Sequence, residues 1–227
     1  DGDLLVVDCL GRRVLRAPVG RPPAVHADLS DLLAHPANDM HVDPDGTAVI
    51  GGYGFDPGAE DPRPTRLITV TPGGAAHPWG DPVVFPNGCE RTPDGRLVVA
   101  ETFADRVSLL TSGGERSTLA ELEPGAGPDG LSVSDDDVLV ALAFAGRVVR
   151  LALAPGGAAE VVHRSAPVVG GPGSGPTGCY DVAVRPGGTV AAVASASLDE
   201  SLAERVDTGT IRLVQVSAGG SRPASPG

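Results

Sequence analysis

The chain has 227 residues, and its 29 acidic residues against 17 basic residues give a formal net charge of −12 at pH 7. This length is enough for one or two ordinary domains with a sizeable core. Because the acidity is spread along the sequence, no basic face is available for nucleic acid or for an anionic membrane, and cations are the favoured ionic ligands. No apolar stretch approaches the roughly 18 residues of a membrane helix, so neither nucleic acid nor a membrane is an expected partner.

Short apolar runs, bounded by Gly or Pro, recur in pairs along the chain. The first run of each pair begins near residue 4, 48, 97, 138 or 190. This spacing of roughly 40–50 residues is the length of a propeller blade, and runs so short and so often interrupted do not fit helices. The pairs are 4–7 with 13–16, 46–50 with 66–70, 94–100 with 106–110, 138–142 with 147–151, and 187–193 with 210–216.

The third repeat predicts the strand order within a blade. An inner strand 88–92 is followed by the turn Pro93-Asp94-Gly95, and strands 96–101, 106–111 and 117–122 then continue outward. We therefore predict an all-β fold, a β-propeller of four-stranded antiparallel blades with about five blades in this chain. Residues 1–217 form a single propeller domain in this prediction, and residues 218–227 form a flexible Gly/Ser/Pro tail.

Asn38, Asn87 and Asp129 occupy equivalent places in successive repeats, nine or ten residues ahead of the second strand of each blade. The same offset in neighbouring blades predicts that their oxygens converge where the inner strands begin, at the mouth of the channel. Amide and carboxylate oxygens are hard ligands that suit Ca²⁺ or Mg²⁺. Such residues also start strands and cap turns for purely structural reasons, but three of them in register favour a hard-metal site.

Most of the few aromatic residues are predicted to lie in loops on the same side of the propeller. Tyr53 and Phe55 follow the second strand of one blade, Glu101 and Phe103 lie at the same place in the next, and Phe144 in the one after. Apolar walls with a few polar groups are typical of small-molecule sites. Glu101, Tyr53, Phe55 and Phe103 are therefore predicted to contact a substrate. The alternative is that the aromatic rings only pack the loops together.

These segments resemble the senescence marker protein/gluconolactonase family, which includes regucalcin and luciferin-regenerating enzyme. The matching motifs are Asn38-Asp39-Met40-His41, Pro86-Asn87-Gly88, Ala100-Glu101-Thr102-Phe103 and Pro128-Asp129-Gly130. The resemblance implies a six-bladed propeller that hydrolyses lactones, often sugar lactones, with one divalent cation at the channel mouth. Ca²⁺ is the expected cofactor, with Zn²⁺ or Mg²⁺ as alternatives. Asn87 and Asp129 are implied as metal ligands, Asp129 also as the general base, and Asn38 as a contact to substrate or to a water on the metal.

Two features depart from the family pattern. The family's third protein ligand is a Glu in the first blade, and no matching motif is present in this sequence. The chain is similar to the family from the second strand of its second blade onward, so we expect further residues upstream of Asp1. Some members also carry an Arg two residues before the Asn of the Asn-Asp motif. Pro36 stands at that position here, which disfavours a sugar-type substrate.

Three functions fit these observations. The leading prediction is a metal-dependent lactonase acting on a small lactone, with the cytoplasm as the expected location. One alternative is a non-catalytic propeller that binds a metal or a small ligand. The other is an interaction platform, which a propeller fold never excludes by itself.

Overall fold

The computed structural model describes residues 2–154, 158–166, 177–185, 188–198 and 209–216. These residues form five antiparallel sheets and one short 3₁₀ helix, η1 (Thr102–Ala104). Within them, no helix is long and apolar enough to cross a membrane.

Each sheet is built from strands that follow one another in the chain. Two sheets have three strands, namely β1 (Leu4–Asp8), β2 (Arg13–Ala17) and β3 (Ala24–Asp28), and β16 (Thr177–Val184), β17 (Val190–Ser197) and β18 (Thr210–Gln215). The second sheet has β4 (Ala37–Val42), β5 (Ala48–Gly52), β6 (Pro64–Val70) and β7 (Ala76–Val84). The third has β8 (Pro86–Arg91), β9 (Leu97–Glu101), β10 (Arg106–Leu110) and β11 (Arg116–Glu121). The fourth has β12 (Pro128–Val133), β13 (Asp137–Leu142), β14 (Arg147–Ala152) and β15 (Glu160–Arg164).

This arrangement confirms the predicted all-β propeller with five blades. The strands β1, β5, β9, β13 and β17 begin within one residue of the five predicted starting points, and β8 to β11 follow the predicted order of a blade. The first blade has three described strands, β1 to β3. Its last strand, β3, is followed in the chain by β4, the inner strand of the second blade. Strand β1 therefore corresponds to the second strand of a four-stranded blade. The predicted tail, residues 218–227, lies outside the described residues.

The hydrophobic core lies between consecutive blades. Strand β9 shows why its sequence is a continuous apolar run: Leu97 and Val99 pack toward the preceding blade, whereas Val98 and Ala100 pack toward the following one. A strand covered on both faces needs apolar residues at every position. Four such clusters join the five blades, and their members include Val14 with Ile50, Leu67 with Leu97, Val98 with Val140, and Leu139 with Val193.

The predicted Pro93-Asp94-Gly95 turn is a tight hairpin turn. The Gly95 N–H donates to the Thr92 carbonyl at 2.9 Å, and the Thr92 N–H donates to the Arg96 carbonyl at 2.8 Å. Gly95 has a φ of 84°, which favours a residue without a side chain. Antiparallel order places these turns on the face opposite the channel mouth. We call the other side the mouth face; it carries Phe85 and the connections 29–36, 53–63, 102–105, 122–127 and 143–146.

Candidate active site

A β-bulge interrupts each of three consecutive inner strands near its start. The pairing register shifts between Ala37 and Met40, between Pro86 and Cys89, and between Pro128 and Leu131. In each case two residues of the inner strand oppose one residue of its partner, an irregularity that re-aims side chains. The bulged pairs are Asn38-Asp39, Asn87-Gly88 and Asp129-Gly130. The three residues predicted to share a ring therefore occupy the first position of equivalent bulges, inside the strands and not in the loops before them.

Hydrogen bonds connect these positions from blade to blade. Asn38 Nδ2 donates to the Pro86 carbonyl at 3.1 Å, and Asn87 Nδ2 donates to Thr102 Oγ1 at 3.3 Å. Thr102 Oγ1 in turn donates to the Pro128 carbonyl at 2.8 Å. Because both amide nitrogens are engaged on neighbouring groups, the Oδ1 atoms of Asn38 and Asn87 are the acceptors that remain for a ligand. This orientation is the one that a site for a cation or a hydroxyl donor requires.

Asp129 differs from an ordinary surface carboxylate in its proton affinity. Burial raises its pKa from 3.8 to about 7, and the charges of Asp39 and Asp181 add to the shift. Burial and neighbouring like charges both disfavour the ionised form of a carboxyl group. A carboxyl group with this pKa is partly ionised at neutral pH, so it can accept a proton and release it again.

Asp39 and Asp181 lie near Asp129, and we call these three residues the acid group. Neither Asp39 nor Asp181 was predicted as a site residue. Asp39 is the second residue of the β4 bulge, and Asp181 follows a register shift in β16. Burial raises the pKa of both side chains, and the charge of Asp39 contributes to the shift at Asp181. Gly130 leaves room for Asp181, because a Cβ on Gly130 would collide with the Asp181 carboxylate. The motif containing Asn38 could have revealed Asp39, whereas the register shift that places Asp181 has no sequence signature.

Five aromatic side chains form one continuous cluster on the mouth face, which we call the aromatic wall: Tyr53, Phe55, Phe85, Phe103 and Phe144. Ring centroids are 4.4 Å apart for Tyr53 and Phe85, 4.8 Å for Phe85 and Phe103, and 6.0 Å for Phe103 and Phe144. Phe55 and Phe85 are buried, whereas Phe103 is 36% and Phe144 is 47% exposed. The wall therefore has a buried base that supports two accessible rings.

The aromatic wall adjoins the bulges. Phe85 precedes Pro86-Asn87 directly, and Phe103 follows Thr102, the residue that accepts the Asn87 amide. Phe144 packs so closely on Gly127 that a Cβ there would collide with the ring. Burial raises the pKa of the Tyr53 phenol, with further contributions from Cys9 and from the charge of Asp129. The phenol of Tyr53 thus lies within electrostatic reach of the acid group.

Residues 2–172 match the model of the SMP-30/gluconolactonase/LRE-like region. The chain belongs to this family. The match covers all three bulges and the aromatic wall, and it confirms the resemblance found in the sequence motifs. None of the curated proteins matches the chain in sequence.

Solved structures with a similar fold include other propellers of this kind. Regucalcin, a calcium-binding protein from Agrobacterium tumefaciens, has a TM-score of 0.70 and 17% identity over 95% of this chain and 73% of that one. A luciferin-regenerating enzyme has a TM-score of 0.69 and 19% identity over 95% of this chain and 76% of that one. A gluconolactonase from Xanthomonas campestris has a TM-score of 0.62 and 18% identity over 86% of this chain and 66% of that one. At these identities the likeness shows the shared fold alone.

The oxygen donors at the bulges have the chemistry that a hard divalent cation prefers. Asn87 offers an amide oxygen, Asp129 a carboxylate, and Asn38 a second amide oxygen. In the part of the chain that the structure describes, no three His, Cys, Asp or Glu side chains are grouped closely enough to hold a metal ion. A cation at this mouth would therefore depend on the amide oxygens as well as on Asp129.

Glu101 lies at the rim of the site but is fully buried. Its carboxylate accepts hydrogen bonds from Arg106 Nη2 and from the Val84 N–H, both at 2.7 Å, and a further bond from the Ser108 hydroxyl. Burial alone would raise the pKa of Glu101, but the hydrogen bonds from Arg106, Ser108 and Val84 hold it below its ordinary value. These contacts tie β9 to β7 and β10. That Glu101 also contacts substrate stays a prediction.

Proposed function

We propose that the mouth face holds the active site of a lactonase-type hydrolase that opens a small lactone with the help of a divalent cation. The observation that carries the proposal is the position of Asn38, Asn87 and Asp129 at equivalent bulges, where burial raises the pKa of Asp129 in the metal-free chain. Membership of the family and the fold shared with a gluconolactonase support the same class of reaction. The proposed partner is the lactone itself, with no role for nucleic acid or a membrane.

Lactone hydrolysis adds water to the carbonyl carbon, breaks the bond from that carbon to the ring oxygen, and yields a hydroxy acid. In our proposal, ionised Asp129 accepts a proton from the water as the new C–O bond forms. The protonated Asp129 then gives this proton to the departing ring oxygen. A carboxyl group can serve in both steps, because it accepts a proton as the carboxylate and releases it as the acid.

Asn87 and Asp129 are the proposed ligands of the cation, which is Ca²⁺ by preference and Zn²⁺ or Mg²⁺ as alternatives. When bound, such a cation supplies positive charge that polarises a carbonyl group and lowers the pKa of a water molecule. Thr102 holds the Asn87 amide in place and the Pro86 carbonyl holds the Asn38 amide, so both side chains are oriented before substrate arrives. Regucalcin, which shares the fold, is a calcium-binding protein, and this supports Ca²⁺ as the first candidate.

The aromatic residues divide into two roles in this proposal. Phe103 is accessible and contacts the substrate directly, and Tyr53 borders the acid group. Phe55 is 1% exposed, so in this proposal it holds Phe85 and Phe103 in position, and the substrate contact expected for it from the sequence stays a prediction. Glu101 fixes the strand end from which η1 and Phe103 project.

The proposal is tested by measuring hydrolysis of γ- and δ-lactones with Ca²⁺, Mg²⁺ or Zn²⁺ and with a chelator in place of the metal. We expect turnover with at least one cation and loss of turnover with the chelator. Asn87→Ala and Asp129→Asn should each remove activity and the rise in melting temperature that the cation causes. Asp135→Asn is the matched control, since it removes an exposed carboxylate on the opposite face. Turnover that survives in Asp129→Asn would contradict the assigned role.

A non-catalytic metal-binding or small-ligand propeller is the second candidate. The oriented amides of Asn38 and Asn87 and the accessible ring of Phe103 would serve binding of this kind without catalysis. A cation-dependent rise in melting temperature without turnover of any lactone would support it. An interaction platform would show neither effect. The six-bladed architecture implied by the family and the cytoplasmic location both stay predictions.

A further inference from the structure

The aromatic wall concentrates five of the seven aromatic side chains of this chain in one place. The sequence contains four Phe, two Tyr and one Trp, and all four Phe together with Tyr53 belong to the wall. They come from the mouth-face connections of three successive blades. Packing of the loops would be satisfied by the buried pair Phe55 and Phe85. The two accessible rings, Phe103 and Phe144, add an apolar surface that loop packing does not require.

The accessible rings stand beside the reacting groups proposed above. Phe103 is one residue from Thr102, which contacts Asn87, and Phe144 lies on Gly127, two residues before Asp129. The Phe144 ring contacts the Phe103 ring edge-on, with 6.0 Å between centroids, so the two rings form one surface. A substituent on a lactone whose carbonyl group lies at the bulges would therefore meet ring faces and edges on this side.

The charges around the mouth disfavour an anionic substituent. Asp39 and Asp129 lie at equivalent bulges of the inner strands, and the Asp181 carboxylate lies directly against Gly130, the neighbour of Asp129. Four arginines in the mouth-face connections or at the strand ends next to them are engaged with other groups. Arg12 Nη1 donates to the Leu33 carbonyl at 2.8 Å, Arg63 pairs with Glu60 at 2.8 Å, Arg106 pairs with Glu101 at 2.7 Å, and Arg147 pairs with Glu123.

We propose that the lactone opened at this site carries an uncharged apolar substituent, alkyl or aryl, that packs against Phe103 and Phe144, and that polyhydroxylated sugar lactones are poor substrates. This inference rests on the proposed lactonase function and specifies its substrate class. Burying an alkyl chain against the rings favours binding with each methylene removed from water. A chain of hydroxyl groups would exchange hydrogen bonds with water for contact with aromatic carbon.

The test compares kcat/KM for unsubstituted δ-valerolactone, for its 5-propyl and 5-pentyl derivatives, and for glucono-δ-lactone, each with the activating cation. We expect kcat/KM to rise by up to about fourfold per added methylene, and glucono-δ-lactone to be the poorest of the four. Phe144→Ala and Phe103→Ala should reduce the preference for the pentyl over the unsubstituted lactone by at least about tenfold. Phe144→Leu should keep most of it. Leu213→Ala is the control, because Leu213 is an exposed apolar residue on β18.

Two outcomes separate failure of this inference from failure of the proposed function. If glucono-δ-lactone is opened as fast as the pentyl lactone, or if Phe144→Ala lowers both rates equally, the substrate class is wrong while the hydrolase stands. If no lactone is opened with any cation, the hydrolase is wrong. The inference can then be tested without turnover, by calorimetric measurement of the binding of δ-lactams. These lactams carry the same alkyl groups on the carbon next to the ring nitrogen, as the lactones carry them next to the ring oxygen. Tighter binding of the pentyl lactam, lost in Phe144→Ala, supports it, and equal binding of all lactams overturns it.

Discussion

The two faces of the propeller treat the same residue type in opposite ways. On the face opposite the mouth, Asp94 sits in a hairpin turn where hydrogen bonds from Arg96 and Thr92 lower its pKa to about 2. On the mouth face, Asp129 occupies a bulge where burial and two neighbouring acids raise its pKa to about 7. The turn uses its carboxylate to satisfy local donors, and so gains stability. On the mouth face, the folded chain disfavours the ionised form of Asp129. A pKa perturbed in this way is typical of functional sites.

The substitution Asp129→Asn gives the largest expected effect. Removing the proposed base should lower kcat by about 10²–10⁴-fold with the best lactone. The same change should leave a neutral side chain of nearly the same shape in a site that disfavours charge, so the chain should not be destabilised at pH 8. Asp94→Asn is the contrasting variant on the opposite face.

The contrast between the two variants is the sharpest check on the comparison of the two faces. Asp94→Asn should keep full activity and lower the melting temperature, because it removes the negative charge and one of the two oxygens that accept from Arg96 and Thr92. Steady-state kinetics and thermal unfolding of both proteins, side by side, supply the measurement. If Asp129→Asn unfolds as readily as Asp94→Asn, Asp129 has a structural role like that of the turn.

Glu101 qualifies the comparison, because it is an acid of the mouth face that is paired. Its carboxylate bonds Arg106, Ser108 and the Val84 N–H, and replacing it by Ala would strand a partly buried guanidinium. Breaking such a pair costs about 3–5 kcal/mol of unfolding free energy. Urea unfolding of Glu101→Ala, with the exposed Glu115→Ala as control, measures this loss. A change below about 1 kcal/mol, the range of surface pairs, would show that the pair is not structural.

The pH dependence of stability follows from the raised pKa of Asp129. Because its pKa is about 7 in the folded chain and 3.8 is the ordinary value, the folded chain binds more protons than the unfolded chain between these two pH values. Stability should therefore fall as pH rises through this window, by up to about 4 kcal/mol at 1.36 kcal/mol per pKa unit. Asp39 and Asp181 add to the fall in the same direction.

Urea unfolding of the metal-free chain at pH 4.5 and pH 7.5 tests this dependence. The unmodified chain should be more stable at pH 4.5, and Asp129→Asn should lose most of that difference. If the stability difference between pH 4.5 and pH 7.5 is the same in the two proteins, titratable groups other than Asp129 determine the pH dependence. Asp94 does not interfere in this window, since stability from its lowered pKa is lost only as pH falls toward 2.

The fold was predictable because the apolar runs, the turn residues between them and the repeat length all indicate the same architecture. The run Leu97–Ala100 is apolar at every position because both faces of the strand are covered, and Asp94-Gly95 marks the turn before it. The ring of Asn38, Asn87 and Asp129 was predictable from a constant offset to the following strand. Asp181 was not, because its place depends on a register shift in β16 that pairing alone decides. The contacts of Glu101 were also beyond prediction, since its hydrogen-bond partners come from two different blade positions, β7 and β10.

The smallest predicted effect concerns the turn glycine that stands opposite the mouth. Gly95 has a φ of 84° and a Cβ there would meet open space, so Gly95→Ala introduces backbone strain without a clash. The left-handed region costs a residue with a side chain about 1–2 kcal/mol. Gly130→Ala provides the counterpart on the mouth side, where the added Cβ collides with the Asp181 carboxylate. Gly95→Ala should lower stability and keep kcat/KM, whereas Gly130→Ala should lower kcat/KM as Asp181 moves away from Asp129. If thermal unfolding and lactone kinetics show the two variants losing activity equally, the separation between a stabilising face and a reactive face does not hold.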